Sequence, residues 1–160
     1  KGSGAGFDAV GRDAAAAENL AVVLDLYARR VVGWAMAERM TSKLVCDALR
    51  MALGQRGTPK GVLVHSDRGS QYCSEEYQRL LRQHGLICSM SRRGNCYDNA
   101  AMESWHHSLK VEAIHGERFA TRQSAKEHVF EYIEIYYNRQ RLHSRLGYLT
   151  PEMFERKNAA

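Results

Sequence analysis

From position 20 onward, apolar residues fall into short runs and helical stripes separated by polar, glycine-bearing turns. Leu20-Ala-Val-Val-Leu-Asp-Leu-Tyr27 is rich in β-branched and apolar residues, which predicts a strand. Ala28-Arg-Arg30 turns the chain, and Val31-Val-Gly-Trp-Ala-Met36 is its expected hairpin partner. Thr41 or Ser42 can cap a helix in which Leu44, Val45, Ala48, Leu49, Ala52 and Leu53 recur at helical spacing up to Gly54. After the loop Gly57 to Gly61, Val62-Leu-Val-His65 predicts a compact buried strand that ends in the polar turn Ser66-Asp-Arg-Gly-Ser-Gln71. Ser74 is the expected cap of the next helix. Glu75 and Glu76 lie where the helix dipole favours acids, Tyr77, Leu80 and Leu81 form its apolar face, and Gly85 ends it.

Leu86-Ile-Cys-Ser-Met90 predicts another strand, followed by a polar loop over residues 91–99. A helix is expected from Ala100 through Lys110 to about Ile114, and a longer one from Thr121. A short helix at Glu152 to Arg156 closes the pattern. Before position 20 the pattern is weak. Lys1-Gly-Ser-Gly-Ala-Gly6 resembles a flexible linker, and Phe7-Asp-Ala-Val10 offers a short strand at most. Two regions are therefore expected, a poorly defined segment over residues 1–19 and a single core over residues 20–156. The order of elements is that of a mixed α/β domain whose sheet is not all parallel.

Composition changes this picture little. The chain has 160 residues, 44% hydrophobic and 26% charged, enough for one ordinary globular core. No apolar run approaches a membrane span, nor is there an apolar leader-like stretch at the start, so a cytoplasmic protein without membrane contact is expected. The formal charge of +5 favours polyanionic partners. Cys46, Cys73, Cys88 and Cys96 form no C-x-x-C pair, and reduced thiols are expected.

The chemistry worth testing lies in the carboxylates. Phosphoryl transfer by two divalent ions needs a few acids converging from separate parts of a fold. Asp67 follows Val62-Leu-Val-His-Ser66 directly, and Glu103 lies in the first turn of the helix from Ala100. Singly, each is as readily a turn residue or a helix-terminal charge.

Together with their flanks they carry more. His65-Ser-Asp-Arg-Gly-Ser-Gln-Tyr72 and Asp98-Asn-Ala-Ala-Met-Glu-Ser-Trp105, the latter followed by Leu109-Lys110, resemble the signature of the IS-three family of insertion-sequence transposases, relatives of retroviral integrases. Thirty-five residues lie between Asp67 and Glu103, the spacing of that family's last two catalytic acids. The stretches from Leu20 to Trp34 and from Tyr136 to Pro151 resemble the family as well. The resemblance implies an RNase H-like fold with a five-stranded mixed sheet flanked by helices. It also implies metal-dependent cleavage and strand transfer of transposon DNA ends with Mg²⁺ or Mn²⁺, and no covalent enzyme intermediate. Asp67 matches the second catalytic aspartate and Glu103 the glutamate.

The first aspartate of this family typically stands in an Asp-Ile-Thr triplet, which is absent here. Asp8, 12 residues before Leu20, is the leading candidate and Asp13 the next; Asp25 has family counterparts that are not catalytic. The missing triplet keeps a second reading open, an inactive DNA-binding or assembly domain on the same fold. His107 and Lys110 follow Glu103 at i+4 and i+7, one helix face, and are candidates for DNA contact. Lys110 matches a family lysine expected near the scissile phosphate. Arg92 and Arg93, and Arg139 and Arg141 with His143 and Arg145, are further phosphate-contact candidates. Tyr132, Tyr136 and Tyr137 are expected to be packing residues rather than base-stacking platforms. The partners implied are transposon ends and target DNA, with a homo-oligomer in a synaptic complex.

Overall fold

The computed structural model describes residues 2–10 as backbone and residues 18–66, 68–90 and 100–159. Its strands are β1 (Gly2–Val10), β2 (Glu18–Asp25), β3 (Val31–Ala37), β4 (Leu63–Ser66) and β5 (Ile87–Met90). They hydrogen-bond in the order β3-β2-β1-β4-β5. β1 pairs antiparallel with β2, and β2 with β3; β1 pairs parallel with β4, and β4 with β5. The helices are α1 (Ser42–Arg56), α2 (Glu75–Gln83), α3 (Ala100–Leu109), α4 (Arg122–Phe130) and α5 (Pro151–Asn158). α3 and α4 each run on into wider π-helical turns, at Lys110–Ile114 and Glu131–Tyr137.

The apolar run in β2 is explained by burial on both faces. Ala21 and Val23 pack with Leu44, Val45, Leu49 and Leu53 of α1 and with Tyr77 and Leu81 of α2. Leu20, Val22 and Leu24 pack on the other side with Met102, Trp105 and Leu109 of α3 and with Val129 of α4. The result is a sheet between two helical layers. α1 lies so close to β3 that a methyl group at Gly33 would collide with the carbonyl oxygen of Ala48, so only glycine fits there.

Local capping follows from side chains at the helix ends. Thr41 accepts a hydrogen bond from the Leu44 N–H, Ser74 from that of Tyr77, and Thr121 from that of Ser124. α1 continues past Gly54 to Arg56, and Gly57 ends it in the left-handed region at φ 67°.

β1 is longer than the four residues expected of it. Glycine and alanine have low strand propensity, so its sequence alone signals little. Pairing with β2 on one side and β4 on the other supplies what propensity does not. β2 also begins earlier than Leu20, at Glu18.

Asp25 is occupied at the hairpin turn: Oδ1 accepts the N–H groups of Tyr27 at 2.8 Å and Ala28 at 3.2 Å. Its Oδ2 accepts from Arg56 at 2.8 Å. Arg56 also pairs with Glu155 of α5, which in turn takes Arg30 at 2.7 Å. Burial would raise the Glu155 carboxyl, but hydrogen bonds from Arg56 and Arg30 outweigh it and hold the group below its ordinary range. This cluster ties α5 to the hairpin and to the end of α1.

Candidate metal centre and nucleic-acid interface

β4 runs between β1 and β5, with His65 level with Gly4 on one side and Ser89 on the other. It ends at Ser66, which is buried. Asp67, the next residue, lies outside the described residues, as do Arg92, Arg93 and Asp13. β1 continues beyond Gly4 in the direction of β4's C-terminal end, and four positions on it carries Asp8. The register sets position 8 opposite Leu20, a residue of the row that packs on α3. α3 itself contacts β1.

On α3, Met102, Trp105 and Leu109 are buried, while Glu103, His107 and, at the start of the π-helical turn, Lys110 are exposed. The three follow one another at i, i+4 and i+7, a spacing that places residues on one face of a regular helix. Among the described residues, no group of three His, Cys, Asp or Glu side chains is placed to hold a metal ion.

The cations after α4 divide into two kinds. Arg139 and Arg145 are exposed. Arg141 is committed within the protein. Its Nε lies 2.9 Å from each oxygen of Glu112, and Nη2 donates to the Ser108 hydroxyl at 3.3 Å. Glu112 also accepts from the Tyr132 hydroxyl at 2.7 Å. Burial pushes Glu112 upward, but Arg141 and Tyr132 more than offset this, so its carboxyl stays below the ordinary range. His143 stacks edge-on against Tyr137, with centroids 5.0 Å apart. Burial, then the charge of Arg141, lowers its pKa to about 4. Tyr132 and Tyr137 are core residues, in line with their spacing, while Tyr136 is exposed.

A cleft of about 680 Å³ opens beside α3, lined by Ala100, Ser104 and Ser108 on one wall and by Arg29, Arg145 and Tyr148 on another. Arg29 and Tyr148 were not singled out from the sequence. Both lie in turns, and the only sequence signal is that each falls within a stretch resembling the transposase family.

Comparison with known proteins agrees with this architecture. The integrase core domain family matches residues 8–96 and, through a second description of the same domain, residues 103–158. The transposase InsF for insertion sequence IS3A of Escherichia coli (strain K12) is 58% identical over 141 residues, covering 88% of this chain and 49% of that protein. The transposase for insertion sequence element IS904 of Lactococcus lactis is 49% identical over 140 residues, covering 88% of this chain and 55% of that protein. The chain therefore spans about half the length of the curated relatives it matches.

Among solved structures, the simian T-cell lymphotropic virus intasome in complex with PP2A regulatory subunit B56 gamma contains a chain that superposes with a TM-score of 0.75 at 15% identity. The match covers 95% of this chain and 52% of that one. The HTLV-2 integrase catalytic core domain in complex with magnesium (trimeric form) gives 0.68 at 13% identity, covering 95% and 93%. At such identities the likeness concerns the fold, which is the RNase H-like α/β fold of integrase cores. On the sequence matches, the chain belongs to the integrase core domain family, and it is similar to the insertion-sequence transposases named above.

Proposed function

We propose that this domain is the catalytic core that cuts transposon ends and joins them to target DNA, using a divalent ion held by Asp8, Asp67 and Glu103. One observation carries the reading: Glu103 stands exposed in the first turn of α3, on the helix that contacts the β1 strand bearing Asp8. Asp67 follows in sequence on β4, the parallel neighbour of β1. Three hard carboxylate donors on separate elements suit Mg²⁺ or Mn²⁺ better than a soft metal. The bound ion would polarise the scissile phosphodiester and make water or a DNA 3′-hydroxyl a competent nucleophile. No side chain need form a covalent intermediate.

In this reading Lys110 and His107, on the same face as Glu103, grip phosphate beside the scissile bond, and Arg92, Arg93 and Arg139 extend the track. Arg141 serves by holding Glu112 and the chain after α4 rather than by binding DNA. The transposition reaction joins two ends to a target, so a homo-oligomeric synaptic complex in the bacterial cytoplasm is the working form.

Glu103→Gln should abolish Mg²⁺-dependent strand transfer while leaving the fold and DNA affinity intact; retained transfer would sink the reading. Asp8→Asn and Asp13→Asn, compared in the same assay, identify the first aspartate. The absence of an Asp-Ile-Thr triplet favours a second reading, a domain that binds or assembles on DNA without cutting it. Mn²⁺ titration followed by paramagnetic broadening separates the two, since an inactive domain would show no broadening centred on α3.

A further inference from the structure

Among the described residues, the lining of the cleft beside α3 holds no acid, yet Arg29, Arg141 and Arg145 all border it. Three neighbouring arginines are paired: Arg30 and Arg56 with Glu155, and Arg141 with Glu112. Arg29 and Arg145 have no carboxylate partner among the described residues. They also repel one another. Burial first, then the charge of Arg145, depresses the Arg29 guanidinium below its ordinary range. Two like charges bordering one concave wall favour an anion between them.

The backbone is strained at the same place. Three described residues other than glycine have positive φ, and two of them line this cleft: Arg29 at 55° and Tyr148 at 60°. Such strain persists where the surroundings impose it, commonly at ligand sites. Tyr148 is 71% exposed, and among the described residues no other aromatic ring stacks on it. Ser104 and Ser108 add hydroxyls from α3, and Ser104 is the immediate neighbour of Glu103.

We propose that this cleft is a nucleotide subsite, in which Arg29 and Arg145 clamp one backbone phosphate of a DNA strand and the ring of Tyr148 stacks on its base. The proposal rests on the reading of the α3 face as a DNA-processing site, and assigns it a second grip one helix face away from Glu103. Stacking on an exposed aromatic ring tolerates any base, so the subsite would hold the strand without reading its sequence.

The test uses the full chain in EDTA, where no cleavage can occur, with a short fluorescein-labelled oligothymidylate followed by anisotropy across a salt series. The double variant Arg29→Gly with Arg145→Ala should lose about tenfold or more in affinity, and its log–log salt slope should flatten by about 0.7 per lost single-strand phosphate contact. Tyr148→Ala should weaken binding about fivefold or more with the slope unchanged. Glycine accepts the backbone of position 29 without strain, so melting temperature should hold or rise, and Arg145→Ala alone at an exposed position guards against misfolding. A double variant with wild-type affinity and slope overturns the proposal. So does inorganic phosphate competing equally well for the wild type and Tyr148→Ala, which would make this a plain phosphate site. Because binding is read without metal, a failure of Glu103→Gln to stop strand transfer would leave this result standing, and the reverse holds.

Discussion

The guanidinium of Arg141 holds both carboxylate oxygens of Glu112, with Nε 2.9 Å from each. The two residues lie 29 positions apart, and their pair fastens the π-helical turn after α3 to the chain that follows α4. Glu112→Gln should cost about 1–3 kcal/mol in urea denaturation, since it leaves a partly buried guanidinium without its counter-charge. Because the folded carboxyl lies below its ordinary range, the contribution is fully present above the unfolded pKa. It is lost as pH falls through the folded value, so the gap between wild type and variant should close in acid.

Asn138 is buried and answers both backbone groups of Val31: Oδ1 accepts its N–H at 3.0 Å, and Nδ2 donates to its carbonyl at 3.0 Å. Asn138→Ala leaves a buried donor and acceptor unmet at the start of β3, an expected loss of about 2–4 kcal/mol. Asn138→Asp keeps the acceptor only and buries a charge, so it should do no better. Equilibrium unfolding with both variants checks this. A loss under about 0.5 kcal/mol, the level of an ordinary surface substitution, would contradict it.

His143 should titrate near pH 4 by NMR, and so be neutral at pH 7. Its folded pKa lies below the ordinary value of about 6.5. Between about 4 and 6.5 the unfolded chain therefore binds more protons than the folded one. Stability should fall as pH drops through that window, and a His143→Gln variant should show a flatter dependence there. A midpoint above about 6 would show the imidazole to be solvated rather than packed on Tyr137.

Much of this molecule is legible because its signals are local. Thr41, Ser74 and Thr121 announce helices through their own side chains, and the run Leu20 to Tyr27 announces a strand by composition. Glu103, His107 and Lys110 reveal a shared face by spacing alone, and the structure exposes all three. What escaped detection depends on partners distant in the chain. Nothing near Arg141 tells it from Arg139, yet Glu112 ties down the first while the second stays exposed. The cleft joins residues near positions 29, 104 and 145, and no local window contains them. β1 escaped for the opposite reason: its residues are small, and its strand character is imposed by neighbours.

That strand sets an order of assembly. β1 can meet β2 across a short return, but its other edge pairs with β4 only once Leu63 has been made, about 60 positions after Gly2. Until then the glycine-rich outer edge of β1 in the three-strand meander has no partner strand. The antiparallel and parallel halves of the sheet meet at β1 and nowhere else. The late arrival of β4 therefore both seals that edge and brings its own end alongside β1. Whatever chemistry sits at the junction waits for the sheet to close.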